Sequence, residues 1–147
     1  MTDPTEGLGA RLRKTGSRER VLIVDDEQMV REYTGRILES AGYRTDTAAD
    51  GAEALDAIRR QPGAFDAVVS DVVMPRLNGV DLVRELATIS PGIPVLLVSG
   101  YAAAELAERG IAVSCGILAK PYLPEQLLAA LRRCIDDRAR SASSLNA

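Results

Sequence analysis

The chain contains four short, uninterrupted apolar runs, and each of them leads into polar side chains. Runs of this kind, rich in Val, Ile and Leu, predict strands that are buried on both faces of a parallel sheet. Because ligands of open α/β sheets bind at the carboxyl ends of the strands, we expect these polar groups to share one rim. The runs and the residues that follow them are 21–24 with Asp25 and Asp26, 67–70 with Asp71, 95–98 with Ser99, and 117–119 with Lys120.

The segments between the runs have the patterns or boundaries of helices. We expect helices near residues 29–41, 50–58, 82–89, 102–109 and 124–135, and a more polar strand at 43–48. Right-handed crossovers place helices on both faces of the sheet, and a polar second strand belongs at an edge. The sequence therefore predicts an α/β fold, a doubly wound five-stranded parallel sheet in the order 2-1-3-4-5.

The ends of the chain differ in composition from this core. Residues 1–18 are expected to form a flexible N-terminal tail or linker, and residues 138–147 a disordered C-terminal tail rich in Ser and Ala. Residues 19–137 would form one domain. Five basic residues lie at positions 11–20, for which a solvated tail is a better interpretation than a phosphate-binding arm.

Composition excludes several classes of protein. A net charge of −3 is unlike that of most nucleic-acid binders, and the apolar runs are far too short to span a bilayer. The first residues do not resemble a signal peptide, so the cytoplasm is the expected location. Cys115 and Cys134 fit a reducing compartment, as small core hydrophobes. The chain has no His, which excludes a phosphoaccepting histidine, a Ser–His–Asp triad and a Cys/His zinc site.

The residue types on the predicted rim indicate phosphoryl chemistry. Three carboxylates, from Asp25, Asp26 and Asp71, repel one another unless a cation lies between them. Oxygen ligands favour a hard cation, and Mg²⁺ fits best because it is commonly shared with a phosphate. A carboxylate can attack phosphorus, while Lys120 would neutralise the transferred oxygens and Ser99 would donate a hydrogen bond to one of them. A single Asp at a strand end is more often a turn or cap residue, so the prediction depends on the whole set.

The segments that carry these residues resemble the receiver domain of two-component response regulators. The similar segments are residues 21–27, 71–79, 98–101 and 118–122, and the likeness extends over about residues 19–137. The last two segments also resemble receivers that are appended to hybrid histidine kinases. Such a domain has a flavodoxin-like fold and acts as a phosphorylation-activated signalling module of a phosphorelay. The chain could equally be a free-standing regulator or part of a hybrid kinase.

The resemblance implies a role for each matching residue. Asp71 would accept a phosphoryl group from a phosphohistidine, and Ser99 and Lys120 would contact that group. Asp26 and Asp71 would bind Mg²⁺ through their side chains, Asp25 through water, and Val73 through its backbone carbonyl. The bond between Lys120 and Pro121 would be cis, which aims the lysine into the site.

Three positions concern switching and access of water. Ile117 stands where the family often has an aromatic residue that swings inward, so either Ile117 or Tyr101 would move instead. Val73 and Tyr101 match positions that flank the path of an attacking water. Since Val73 cannot bind a water and Tyr101 is bulky, we expect a long-lived phosphoryl group.

The resemblance also implies partners and excludes turnover of a substrate. A histidine kinase or a histidine phosphotransfer protein would supply the phosphoryl group. A downstream protein would contact the fourth helix, fifth strand and fifth helix; a homodimer is compatible, and neither nucleic acid nor a membrane span is expected. The chain would not be an enzyme beyond self-phosphotransfer and slow autodephosphorylation. The alternatives are a Mg²⁺-dependent aspartate-nucleophile phosphatase, whose acid would fall at Val73, and a flavin carrier, whose phosphate loop the segment Asp25-Asp26-Glu27 replaces.

Overall fold

A computed structural model describes residues 18–74, 76–100 and 115–145. The predicted N-terminal tail up to residue 17, the predicted helix at 102–109 and the side chain of Tyr101 lie outside this part.

Five parallel strands form one sheet in the order β2-β1-β3-β4-β5, which confirms the predicted fold. The three central strands are almost completely buried, whereas β2 is partly exposed at one edge, as its polar sequence indicated. The strands are β1 (Arg20–Val24), β2 (Arg44–Ala48), β3 (Ala67–Asp71), β4 (Val95–Ser99) and β5 (Ile117–Ala119).

Helices cover both faces of the sheet, and the alternation along each strand divides the core in two. Leu22 and Val24 face a cluster that includes Leu55 and Leu82, whereas the neighbouring Val21 and Ile23 face a cluster on the other side. The second cluster includes Leu38, Leu127 and Leu131. The described helices are α1 (Gln28–Ser40), α2 (Gly51–Arg60), α3 (Gly79–Ile89) and α4 (Pro124–Leu145).

The C-terminal boundary predicted from the sequence is wrong. Residues 138–145 continue α4 rather than forming a disordered tail. The segment after Asp137 contains Arg and Ala and neither Gly nor Pro, so it has strong helix formers and no residue that ends a helix. Its Ser content suggested a loop, but helix propensity outweighed it.

The expectation for the two cysteines also needs correction. Cys115 and Cys134 form a disulfide, with Cα atoms 5.1 Å apart. Cys134 is buried in the second core cluster, as expected, and Cys115 packs against the same cluster from the segment just before β5. The sequence pattern placed each residue on an apolar surface but did not show that the two surfaces meet.

No helix among the described residues has the length and apolar character needed to cross a bilayer.

Candidate functional site: an acidic rim at the carboxyl ends of the strands

The carboxyl ends of β1 and β3 bring three carboxylates together. Asp25 and Asp26 follow β1, and Asp71 is the last residue of the neighbouring β3. One carboxylate oxygen from each of the three lies within 4.8 Å of the others. Asp25 is buried, Asp71 is half-buried and Asp26 is exposed, so the cluster opens to solvent on one side. The spacing is that of groups that share one ligand.

The ends of β4 and β5 add a hydroxyl and an amine to this rim. Ser99 ends β4 and is buried. The backbone N–H of Lys120 donates to the carbonyl of Ser99 at 2.8 Å, which fixes the start of the segment that follows β5. Lys120 Nζ lies 3.5 Å from Asp25 Oδ2 and 3.5 Å from Asp71 Oδ1. The bond from Lys120 to Pro121 is cis, the isomer that the resemblance implied.

Burial and the neighbouring charges shift the pKa values of Asp71 and Lys120. Burial raises the pKa of the Asp71 carboxyl above its ordinary value; the negative charge of Asp25 adds to this effect, and the Lys120 ammonium opposes it. Burial lowers the pKa of the Lys120 amine, but the charges of Asp71 and Asp25 outweigh burial, so the net direction is upward. Three carboxylates therefore share one nearby ammonium, a combination with excess negative charge.

Short hydrogen bonds orient the two buried carboxylates. Asp25 Oδ1 accepts from the backbone N–H of Glu27 at 2.9 Å, and the carbonyl of Asp25 accepts from Arg31 at 2.7 Å. Asp71 Oδ1 accepts from the backbone N–H of Val72 at 2.9 Å. In Asp25 the other oxygen, Oδ2, faces Lys120, whereas in Asp71 the same Oδ1 accepts from Val72 and lies near Lys120.

The loop after β3 approaches the backbone of Asp71 closely. A Cβ on Gly79 would lie 2.4 Å from the carbonyl oxygen of Asp71, so no larger residue fits there without a backbone shift. The N–H of Gly79 donates to the carbonyl of Val72 at 2.8 Å and closes the loop. The side chain of Val73 is 56% exposed, beside the rim rather than in the core.

Of the predicted switch residues Ile117 and Tyr101, the structure describes only Ile117. Ile117 begins β5 and is half-buried against the first core cluster. Tyr101 is not among the described residues, so its role stays a prediction.

Sequence reasoning missed two contacts that support the site. The carboxylate of Asp50, which caps α2, also accepts from Arg76 in the loop after β3. The hydroxyls of Thr34 in α1 and Tyr122 in the loop after β5 lie 2.9 Å apart and join these two elements. Both contacts join distant parts of the chain, and single residue types at those positions gave no indication of them.

The chain matches the family model described as the response regulator receiver domain over residues 21–132. The chain belongs to the receiver domain family. Receiver domains are the phosphorylated signalling domains of two-component systems, and they generally bind Mg²⁺ at an acidic cluster such as the one described above.

Two named relatives come from different kinds of signalling protein. The chain is 41% identical over 117 residues to sensor kinase CckA of Brucella abortus (strain 2308), covering 79% of this chain and 12% of the relative. It is 40% identical over 116 residues to response regulator MprA of Mycobacterium sp. (strain KMS), covering 77% of this chain and 49% of the relative. This receiver domain thus spans half or less of these relatives.

Solved structures agree with the fold. The receiver domain protein from Clostridium thermocellum has a TM-score of 0.74 and 27% identity, covering 82% of this chain and 97% of that one. The chemotaxis protein CheY4 of Vibrio cholerae, crystallised at low pH, has a TM-score of 0.73 and 34% identity, covering 80% and 99%. Similarity at this level supports the fold and its strand order.

Proposed function

We propose that this receiver domain accepts a phosphoryl group on Asp71 from a phosphohistidine of a histidine kinase or histidine phosphotransfer protein. The observation that carries the proposal is the position of the Asp71 carboxylate. It lies within 4.8 Å of oxygens from Asp25 and Asp26 and 3.5 Å from the amine of Lys120. A nucleophile, a cation site and a fixed positive charge are therefore adjacent.

The residues of the rim fit Mg²⁺. All the side-chain donors are oxygens, and their excess negative charge favours a hard divalent cation. Asp26 and Asp71 would bind through their carboxylates, Asp25 through water, and Val73 through its carbonyl. When bound, Mg²⁺ would supply positive charge for the oxygens of the transferred group.

The chain's own residues then have distinct tasks in the transfer. An oxygen of the ionised Asp71 carboxylate attacks phosphorus, an aspartyl phosphate bond forms, and the P–N bond to the donor histidine breaks with its electron pair left on the imidazole nitrogen. The ammonium of Lys120 compensates charge on the transferred oxygens, and the Ser99 hydroxyl donates a hydrogen bond to one of them. The product stays attached to Asp71, so the chain carries the group and does not turn over a substrate.

A small-molecule donor tests the acceptor directly. Incubation with acetyl phosphate and Mg²⁺, followed by intact-mass analysis, should add one phosphoryl group to the parent and none to Asp71→Asn. Asp81→Asn on α3 is the matched control, because the Asp81 side chain is 46% exposed and is not one of the three rim carboxylates. Undiminished uptake by Asp71→Asn would remove Asp71 as the acceptor.

The phosphatase alternative predicts a different stoichiometry. An aspartate-nucleophile phosphatase needs an acid two residues after its nucleophile, and Val73 supplies only a hydrocarbon side chain there. With a generic aryl phosphate ester and Mg²⁺, continuous release of phosphate would support a phosphatase. Uptake from acetyl phosphate that stops near one group per chain supports a phosphoacceptor.

We propose that signalling partners bind the surface formed by β5, α4 and the predicted helix at 102–109. Ser99 and Lys120 lead directly into this surface, so a group bound to both would shift its conformational equilibrium. Amide exchange with and without beryllofluoride and Mg²⁺ should differ most at about residues 99–122. Changes confined to α1 and α2 would contradict this. We expect output through protein contacts, in monomers or homodimers, without direct binding to nucleic acid.

We propose a cytoplasmic location, and the disulfide provides its test. A reducing cytoplasm keeps most thiols reduced, so the bond between Cys115 and Cys134 would be open there and closed in an oxidising environment. Quenching the cells with acid and then alkylating the thiols of the denatured protein reports the state directly, since Cys134 is buried in the folded protein. Two alkylated cysteines would support the cytoplasmic location, and none would contradict it.

A further inference from the structure

The loop between β3 and α3, residues 72–78, is held to the protein at both of its ends. At its first residue, the carbonyl of Val72 accepts from the N–H of Gly79 in α3 at 2.8 Å. Near its last residue, the carbonyl of Leu77 accepts from the N–H of Gly51 in α2 at 3.1 Å. A Cβ on Gly51 would lie 2.3 Å from that same carbonyl oxygen, so the start of α2 packs directly on the loop. Any shift of α2 would therefore be transmitted to the loop.

Asp50 adds a charged contact between α2 and this loop. Its Oδ1 accepts from the backbone N–H of Glu53 at 2.9 Å and caps α2, while its Oδ2 accepts from Arg76 Nε at 2.7 Å. The Asp50 side chain is only 9% exposed, although that of Arg76 is 67% exposed. The hydrogen bond from Arg76 lowers the pKa of Asp50, with help from the bond to Glu53, and burial opposes both. The carboxylate is thus ionised and has a partner on each oxygen.

The backbone of Arg76 indicates that its side chain matters. Arg76 has φ +57°, the left-handed conformation that Gly and Asn adopt at lower cost than Arg. A residue with a long charged side chain stands there instead. Its ion pair with Asp50 offsets the backbone cost and provides a contact that Gly could not make.

We propose that Asp50 is a positioning residue for the metal centre: through Arg76 it fixes the loop at residues 72–78, and so holds the Val73 carbonyl at the acidic rim. This inference rests on the proposed function, in which that carbonyl binds Mg²⁺. Neither Asp50 nor Arg76 is among the residues expected to bind the cation or the phosphoryl group; both act by holding the described parts of the loop, residues 72–74 and 76–78.

Two substitutions separate this role from that of a helix cap. Asp50→Asn keeps a side-chain oxygen for the cap, since Asn caps helices about as well as Asp, but it loses the charge that pairs with Arg76. Arg76→Gly keeps the left-handed backbone and removes the ion pair altogether. The pair Asp81 and Arg84, also an Asp and an Arg, lies exposed on α3 and supplies matched controls, Asp81→Asn and Arg84→Ala.

The test is Mg²⁺ binding by calorimetry to the full chain. We expect each of Asp50→Asn and Arg76→Gly to raise the dissociation constant about 3- to 10-fold, below the range for direct partners of metal ligands. The double variant should be no weaker than the weaker single variant, because both changes break one interaction. Arg76→Lys, which keeps the charge, should fall between the parent and Arg76→Gly. Both α3 controls should bind as the parent does.

Amide exchange in the metal-free protein gives a second readout. Both variants should exchange faster than the parent at residues 72–78, with α1 and β2 unchanged. Parent-like Mg²⁺ affinity in both variants would overturn the inference while leaving the proposed function intact, and so would unchanged exchange in the loop. A parent chain that binds no Mg²⁺ would overturn the proposed function and this inference with it. If Asp50→Asn does not fold, Arg76→Gly decides alone, because Arg76 is exposed.

Discussion

Charged side chains at the two ends of the sheet differ in how closely they are paired with opposite charges. At the amino end, Arg132 of α4 binds Glu19 through two hydrogen bonds of 2.9 and 2.6 Å and Asp136 through a third contact of 3.0 Å. At the carboxyl end, Lys120 lies 3.5 Å from both Asp25 and Asp71, and Asp26 adds a third carboxylate. One arginine makes short contacts with two carboxylates at the first end, whereas the second end has three carboxylates and one lysine, whose contacts are longer.

This difference separates structural charges from functional ones. The Glu19 and Arg132 side chains form an ion pair, which joins the start of β1 to α4. The rim carboxylates repel one another in the free protein, a cost that Lys120 offsets in part and that a bound cation would offset further. Burial is the main cause that raises the pKa of Asp71; the ammonium of Lys120 opposes it, and the charge of Asp25 adds to it by a smaller amount. The amino end therefore contributes to stability, and the carboxyl end gives up stability for a binding site.

The largest expected effect comes from removing the ammonium at the rim. Lys120→Ala should slow phosphoryl uptake from acetyl phosphate about 100- to 1,000-fold, the usual cost of losing one group that stabilises transferred oxygens. Arg132→Ala removes the same charge at the other end and should leave the uptake rate unchanged. Time-resolved intact-mass analysis measures both rates. Equal slowing by the two variants would break the comparison, since it would mean that the rates follow overall stability.

The reverse effect is expected for stability. Arg132→Ala should lower the free energy of unfolding by about 1–3 kcal/mol, because it leaves the half-buried Glu19 without the hydrogen bonds of its charged partner. Urea denaturation followed by circular dichroism gives the value, and Arg84→Ala on the exposed face of α3 is the control. A loss no larger than that of the control would show that the network at the amino end is not structural.

A smaller effect concerns how long the phosphoryl group persists. The exposed hydrocarbon side chain of Val73 cannot orient a water for attack on the aspartyl phosphate. Val73→Asn should accelerate loss of the group about 10-fold, the value of one positioning contact of roughly 1.4 kcal/mol. The Val73→Leu variant, which adds bulk without polarity, should not accelerate it. If neither variant changes a lifetime of seconds in the parent, the lifetime is set elsewhere.

Much of this fold follows from local sequence patterns. Continuous apolar runs such as 21–24 and 95–98 favour strands buried on both faces, and the polar β2 favours an edge. Strand order and right-handed crossovers then place the strand-end residues Asp25 and Asp71 on one rim without any knowledge of tertiary contacts. The positions of Asp71 and Lys120 on one rim were predictable for this reason.

Long-range pairings were not predictable in the same way. The disulfide joins Cys115 to Cys134 across 19 positions of sequence, and the Asp50–Arg76 ion pair spans 26. Each depends on how two elements pack, which residue type alone does not encode. The continuation of α4 beyond Asp137 was missed because Ser content was given more weight than the helix propensity of the Arg and Ala residues around it.

The most direct test of the account compares the stability of one carboxylate variant from each end, Asp71→Asn and Glu19→Gln, by urea denaturation in EDTA and then in Mg²⁺. In EDTA, Asp71→Asn should be more stable than the parent by about 1 kcal/mol, because one repelling charge is gone, and Glu19→Gln should be less stable than the parent. Mg²⁺ should stabilise the parent and Glu19→Gln equally, and Asp71→Asn much less. A loss of stability in EDTA for Asp71→Asn, or equal gains from Mg²⁺ in all three proteins, would contradict the claim that the rim holds uncompensated charge for a cation.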